Sequence, residues 1–178
     1  MKRWIIVGWL LTIGVALAGI VGKERLMARG DVVYLRLAPV DPRSLMQGDY
    51  MALRFQVARD AFGWEGGRLF NPERRHEGLR DGFVVVGIDP RGVATFRRLD
   101  DGRAPGADEA RIRYRVRNGV PKFGTNAFFF QEGHAARYER ARYGEARLAP
   151  NGDLLLVALR GTNLEPLGLA PGTRDRKS

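Results

Sequence analysis

The pattern of apolar and polar positions divides the chain into one long apolar run and a series of short alternating ones. From Trp4 to Gly22 no residue is charged, and Thr12 carries the only hydroxyl. Those nineteen residues would make about 28 Å of helix, close to the hydrocarbon thickness of a bilayer. The run has no polar face, is flanked by Lys2 and Arg3 before it and by Lys23, Glu24 and Arg25 after it, and carries Trp4 and Trp9 near one end. A buried core helix does not have this pattern, whereas a membrane span does.

After residue 30 the period changes from none to two. Val32 to Leu37 is rich in β-formers and reads as a first strand. Asp41-Pro42 reads as a helix N-cap with proline at the first helical position, so a short helix is expected over Pro42–Gln47, ended by Gly48. A strand to about Ala58 then places Met51, Leu53, Phe55 and Val57 on one face, with Tyr50, Ala52, Arg54 and Gln56 on the other. These first two strands are expected to neighbour one another. Arg59 to Asp81 loses the pattern among glycines and charges and reads as a long loop, with one short helix near Pro72–Leu79.

Phe83–Ile88 and Val93–Leu99 form arms on either side of the turn Asp89-Pro90-Arg91-Gly92. From Ala110 to Asn118, Ile112, Tyr114 and Val116 alternate with Arg111, Arg113, Arg115 and Arg117, a strand with one wet face. Asn118-Gly119 is a hairpin turn signal, and Asn126–Gln131, with three phenylalanines, is a candidate buried strand. A short helix fits Gly133–Arg142, and Gly144–Ala149 with Asp153–Arg160 flank Pro150-Asn151-Gly152 as a hairpin. The count is about eight short strands, one or two short helices and the apolar N-terminal segment, hence a mainly β or α+β domain. The expected division is a tail at 1–3, a span at 4–22, a connector at 23–30, a β-rich domain at 31–170 and a disordered tail at 171–178.

Gly48-Asp49-Tyr50-Met51-Ala52-Leu53-Arg54-Phe55 resembles the motif that names the GDYXXLXY family of bacterial proteins. Phe55 departs from the final tyrosine, which removes a phenolic hydroxyl and keeps an aromatic ring. Pro39-Val40-Asp41-Pro42-Arg43-Ser44 and Phe128-Phe129-Phe130-Gln131-Glu132-Gly133 are also similar to the family, so the resemblance covers most of the chain after the apolar run. It implies a membrane-anchored domain, an accessory to a multispan membrane protein, with no defined chemistry. Asp41, Pro42, Gly48, Asp49, Tyr50, Leu53 and Phe55 are its motif and structural positions. The motif turn is then a structural keystone or a docking edge.

Charge and placement narrow the options further. The short leading tail with Lys2 and Arg3, and the long trailing domain, point to a signal-anchor with a cytoplasmic N-terminus and the main domain outside the inner membrane. Ala16-Leu17-Ala18 also fits a signal-peptide cleavage site, and either reading exports the domain. Of 30 Lys and Arg, 28 follow position 22 along with all 20 acidic residues, which leaves +8 on connector and domain out of +10 overall. Arg outnumbers Lys 26 to 4. The ladder Arg111, Arg113, Arg115, Arg117 is a candidate anion-binding face for lipid headgroups, an acidic partner or a polyanionic polymer; export argues against nucleic acid. There is no cysteine, so no disulfide framework, thiolate nucleophile or soft metal site is available.

Ser44 and Lys122 suggest a second reading, a serine–lysine hydrolase similar to type I signal peptidases, in which a buried lysine acts as base for the hydroxyl. Ser44 precedes Gly48-Asp49 by four residues, and that spacing does not match the signal-peptidase serine box. Asp49 as a base or ligand competes with a plain role accepting backbone N–H bonds at the turn. Glu132, His134, Glu139 and Glu145 cluster in sequence without a zinc-ligand spacing, and His76 is the other histidine, so neither metal nor cofactor is expected.

Overall fold

A computed structural model describes residues 2–38, 46–47, 50–65, 68–69, 80–117, 120–125 and 127–168. Helix α1 (Lys2–Arg29) carries the apolar run and continues through the connector. Its part from Ile6 to Arg29, 24 residues, is long and apolar enough to cross a membrane, and the most apolar window has no side chain buried against the protein. Gly30 alone separates it from strand β1 (Asp31–Arg36). The junction is braced from β11 (Tyr143–Leu148), where Arg147 Nη1 donates to the Gly30 carbonyl at 3.1 Å. A cation there also faces the negative end of the helix dipole. Arg147 Nε is buried, with no acceptor among the described residues.

The protein is mainly β. Besides β1 and β11 the chain forms β2 (Met46–Gln47), β3 (Tyr50–Ala52), β4 (Trp64–Glu65), β5 (Arg68–Leu69), β6 (Gly82–Ile88), β7 (Val93–Leu99), β8 (Glu109–Arg117), β9 (Val120–Lys122), β10 (Ala127–Phe129), β12 (Leu154–Arg160) and β13 (Pro166–Leu167), with short helices α2 (Gln56–Phe62) and α3 (Ala135–Tyr138). Eight strands make one sheet in the order β13-β12-β11-β1-β7-β6-β8-β9. Its neighbours are antiparallel except β1 and β7, which run parallel over Tyr34↔Val93 and Leu35↔Ala94. A small sheet, β10-β3-β2, and the β4–β5 hairpin complete the architecture.

The hairpin expectations hold at β6–β7 and at β11–β12, the latter with a bulge between Glu145 and Ala146. Arg117 pairs with Val120, so Asn118-Gly119 joins antiparallel strands, although the two turn residues lie outside the described ones. Alternation in β8 buries Ile112 and Tyr114 while its arginines face outward.

Several expectations need correction. The motif strand ends at Ala52 and the chain becomes helical at Gln56. Met51, Leu53, Phe55 and Val57 are all buried as expected, but Val57, Ala58, Ala61 and Phe62 are also buried together at helical spacing, and Gly63, with φ +62°, ends the turn. Arg59–Asp81 is therefore not one loop: it opens with the end of α2 and the β4–β5 hairpin, while Pro72–Leu79 lies outside the described residues. Met46 and Gln47 are paired with Met51 and Tyr50 rather than helical. A glycine followed by one residue between alternating runs is a hairpin signal as well as a helix stop. The rest of the expected Pro42–Gln47 helix, and the tail from 171, lie outside the described residues.

The first two expected strands do not pair along their length; they meet at the single bridge Leu37↔Phe55. β10 is not a buried strand, since Phe129 is 73% exposed and only Phe128 and Phe130 turn inward, against Tyr138 at ring-centroid distances of 5.1 and 5.3 Å. The helix expected over Gly133–Arg142 shortens to one turn.

The core lies between the sheet's inner face and α2, joining Val33 and Leu35 of β1, Val84 and Val86 of β6, and Ile112 of β8 to Leu53, Phe55 and Phe62. Phe62, Tyr114 and Phe123 form an aromatic cluster with centroids 4.9 to 6.5 Å apart. The Phe55 ring lies over Gly144. A Cβ there would sit 3.2 Å from Phe55 Cε1 and 2.9 Å from Leu156 Cδ1. Phe55→Ala is expected to destabilise the domain by about 3–5 kcal/mol and Gly144→Ala by about 1–3 kcal/mol, both read as a lower thermal midpoint of the full chain in detergent. A midpoint unchanged in both would refute this packing.

Candidate functional site

The residues of the motif that are described sit where β1 changes partner. On one side β1 is bonded to β11 as far as Arg36↔Tyr143, and the Leu37 N–H donates to the Arg142 carbonyl at 2.8 Å. On the other side β7 pairs with β1 only at Tyr34 and Leu35. Beyond that point the motif takes over: Phe55 bridges Leu37, and the Ala38 N–H donates to the Arg54 carbonyl at 2.7 Å. The motif segment is thus a wedge between two parting strands. Leu53 and Phe55 drive into the core and Arg54 stays exposed.

A cavity of about 1080 Å³ opens at this split. The partly exposed Leu37, Ala38 and Ala52 give it an apolar floor, the buried Met51, Leu53, Val57 and Ala94 also line it, and Arg36, Arg54 and Arg142 reach it from three adjacent chain segments. Arg36 is held by Tyr143, donating from Nη2 to the phenolic oxygen at 3.2 Å with its guanidinium carbon 5.6 Å from the ring centroid. Asp60 and Glu139 also line the cavity; Asp60 accepts from Gln56 Nε2 at 2.7 Å.

The other sequence candidates are scattered. Lys122 is exposed on β9, without the burial that a lysine base needs, and Ser44 lies outside the described residues. Asp41, Pro42, Gly48 and Asp49 lie outside them too, as does His76, whereas Tyr50 on β3 has its ring 5.7 Å from that of Phe129. Glu132 and Glu139 are exposed, and Glu145 is buried in an ion pair with Arg160. Among the described residues no three His, Asp or Glu side chains come together as a metal site.

The arginine ladder of β8 faces outward but is largely neutralised from within. Arg111 pairs with Asp100, Arg113 with Asp153 at 3.5 Å, and Arg117 with Asp81 at 3.4 Å. Phe83 lies beneath Arg111 and Arg113, with guanidinium carbons 5.1 and 5.7 Å from its ring centroid. The Val116 N–H, donating to Asp81 at 2.7 Å, and then Arg117 hold that carboxyl below its ordinary value. Arg111 does the same for Asp100, and Arg103 holds Asp101 down to about 2. Burial pushes the Tyr114 hydroxyl up, with the charge of Asp81 adding to the effect.

The model of the GDYXXLXY protein family matches residues 12–159. The chain belongs to the GDYXXLXY family. No curated protein and no solved structure matches it. In this GDYXXLXY member the segment 50–55 supplies the wedge, and the Phe55 that stands for the family's final tyrosine is 3% exposed, with its ring against Gly144.

The depressed carboxyls set an acid limit. Between their unfolded value near 3.8 and their folded values, about 2 for Asp101, the folded chain binds fewer protons than the unfolded one, so stability rises with pH there. The thermal midpoint is expected to stay level from about pH 7 to 5 and to fall between about pH 4 and 2. The Asp100→Asn/Asp101→Asn variant should show a shallower fall; an identical fall would assign the acid limit to other groups.

Proposed function

We propose that this protein is a single-pass inner-membrane protein, N-terminus in the cytoplasm, whose β-rich domain lies outside and serves as a non-enzymatic accessory to a membrane partner. The observation that carries the reading is the bare α1: Trp9, Leu10, Leu11, Val15 and Leu17 are each more than half exposed, and the domain offers them no cover. Apolar surface of that extent needs another apolar phase, and a bilayer supplies one.

The alternatives have less support. An anionic-polymer or lipid-surface role for Arg111, Arg113, Arg115 and Arg117 competes with the carboxylates that three of them already hold. A hydrolase using Ser44 and Lys122 lacks a buried base.

Carbonate extraction and C-terminal topology reporters test the placement. The wild-type chain is expected to stay with membranes and to report an outside C-terminus. Leu11→Arg/Val15→Arg, at about 2.5–3.5 kcal/mol per arginine near the helix centre, should move it to the soluble fraction. A wild-type chain released by carbonate, or a C-terminus reporting from inside, would refute the placement. The accessory role is tested by isolating the membrane complex in mild detergent, where recovery of the protein alone would refute it.

A further inference from the structure

We propose that the cavity at the split between β1 and β7 binds a small amphiphilic anion, with a carboxylate or phosphate head on Arg54 and Arg142 and an apolar body on the floor beneath. The backbone itself brings the cations together. Arg142 lies beside Leu37 through one hydrogen bond, Arg54 beside Ala38 through another, and Arg36 precedes both on the same strand. Like charges on adjacent strand positions repel, and a bound anion would relieve that cost. Elsewhere among the described residues several close-set arginines have one, Asp100 for Arg111, Asp153 for Arg113, Asp81 for Arg117, Asp101 for Arg103 and Glu145 for Arg160, while Arg115 does not.

At the cavity Arg36, Arg54 and Arg142 have no such partner among the described residues. Of the carboxylates that line the cavity, Asp60 accepts from Gln56 and Glu139 makes no ion pair with them. Arg142 spends Nη1 on its neighbouring Ala141 carbonyl at 3.1 Å, which orients the guanidinium and leaves its other donors available. Guanidinium forks suit the paired oxygens of a carboxylate or phosphate. The floor of Leu37, Ala38 and Ala52 is apolar and partly exposed, and a volume of about 1080 Å³ lies at the upper end of small-molecule sites. This inference stands apart from the accessory role, because a ligand in the cavity requires no particular protein partner.

The test is calorimetric titration of the full chain in phosphatidylcholine nanodiscs, with empty nanodiscs subtracted, using hexanoate, hexyl phosphate and the uncharged hexanol as probes. Saturable binding of at least one anion and none of hexanol is expected. Whichever anion binds more tightly identifies the head group as carboxylate or phosphate. Arg54→Gln/Arg142→Gln changes two exposed side chains and should weaken binding about tenfold or more, with the thermal midpoint retained. Arg91→Gln/Arg115→Gln removes the same charge elsewhere and should leave affinity unchanged. The proposal is overturned if neither anion saturates, if hexanol binds as well, if the first variant keeps wild-type affinity, or if the second loses as much.

Discussion

A β-strand in the middle of a sheet has backbone groups to satisfy on both edges, and β1 meets that demand with two partners in succession on one edge. β7 serves Tyr34 and Leu35; the motif segment serves Leu37 and Ala38. Most other features of the domain follow from this handover. It requires Leu53 and Phe55 to enter the core beside Val33 and Leu35, it starts α2 immediately afterwards, and it leaves a cavity where the two strands part. Phe55 is held in place because Gly144 leaves room for its ring.

Much of this architecture was legible from the chain. Alternation marks β8, while runs of β-formers bounded by turn residues mark β1, β6, β7, β11 and β12, two of which, β6 and β11, are buried on both faces. The motif reads as one strand to about Ala58 because Met51, Leu53, Phe55 and Val57 do alternate; the same Val57 also begins a helical set with Ala58, Ala61 and Phe62, and packing on β7 and β1 decides between the two periods. Phe128-Phe129-Phe130 misled in the other direction, as composition gives no direction to a side chain at the edge of a small sheet.

The candidate site was much less legible. Arg54 was visible as the polar member of an apolar motif, and Arg36 as the charge at the end of a β-rich run, but Arg142 lies about a hundred residues further on and joins them only through strand pairing. Conversely, the arginine ladder was conspicuous in sequence, and its acidic partners Asp81, Asp100 and Asp153 were not, because they come from three separate turns. A row of like charges in sequence is thus a poor guide to net field, while three scattered ones can share a single opening.

The passage from α1 to β1 through Gly30 alone, pinned by Arg147, also fixes a height. β1 advances about 3.3 Å per residue, so Arg36 stands roughly 17 Å along the strand from Asp31, the first residue after the junction. A one-residue junction with a hydrogen bond across it restricts swivelling more than a long linker would. Tilting the helix tilts the sheet with it, and the opening beside Arg36 is carried at a set distance from the end of the apolar segment.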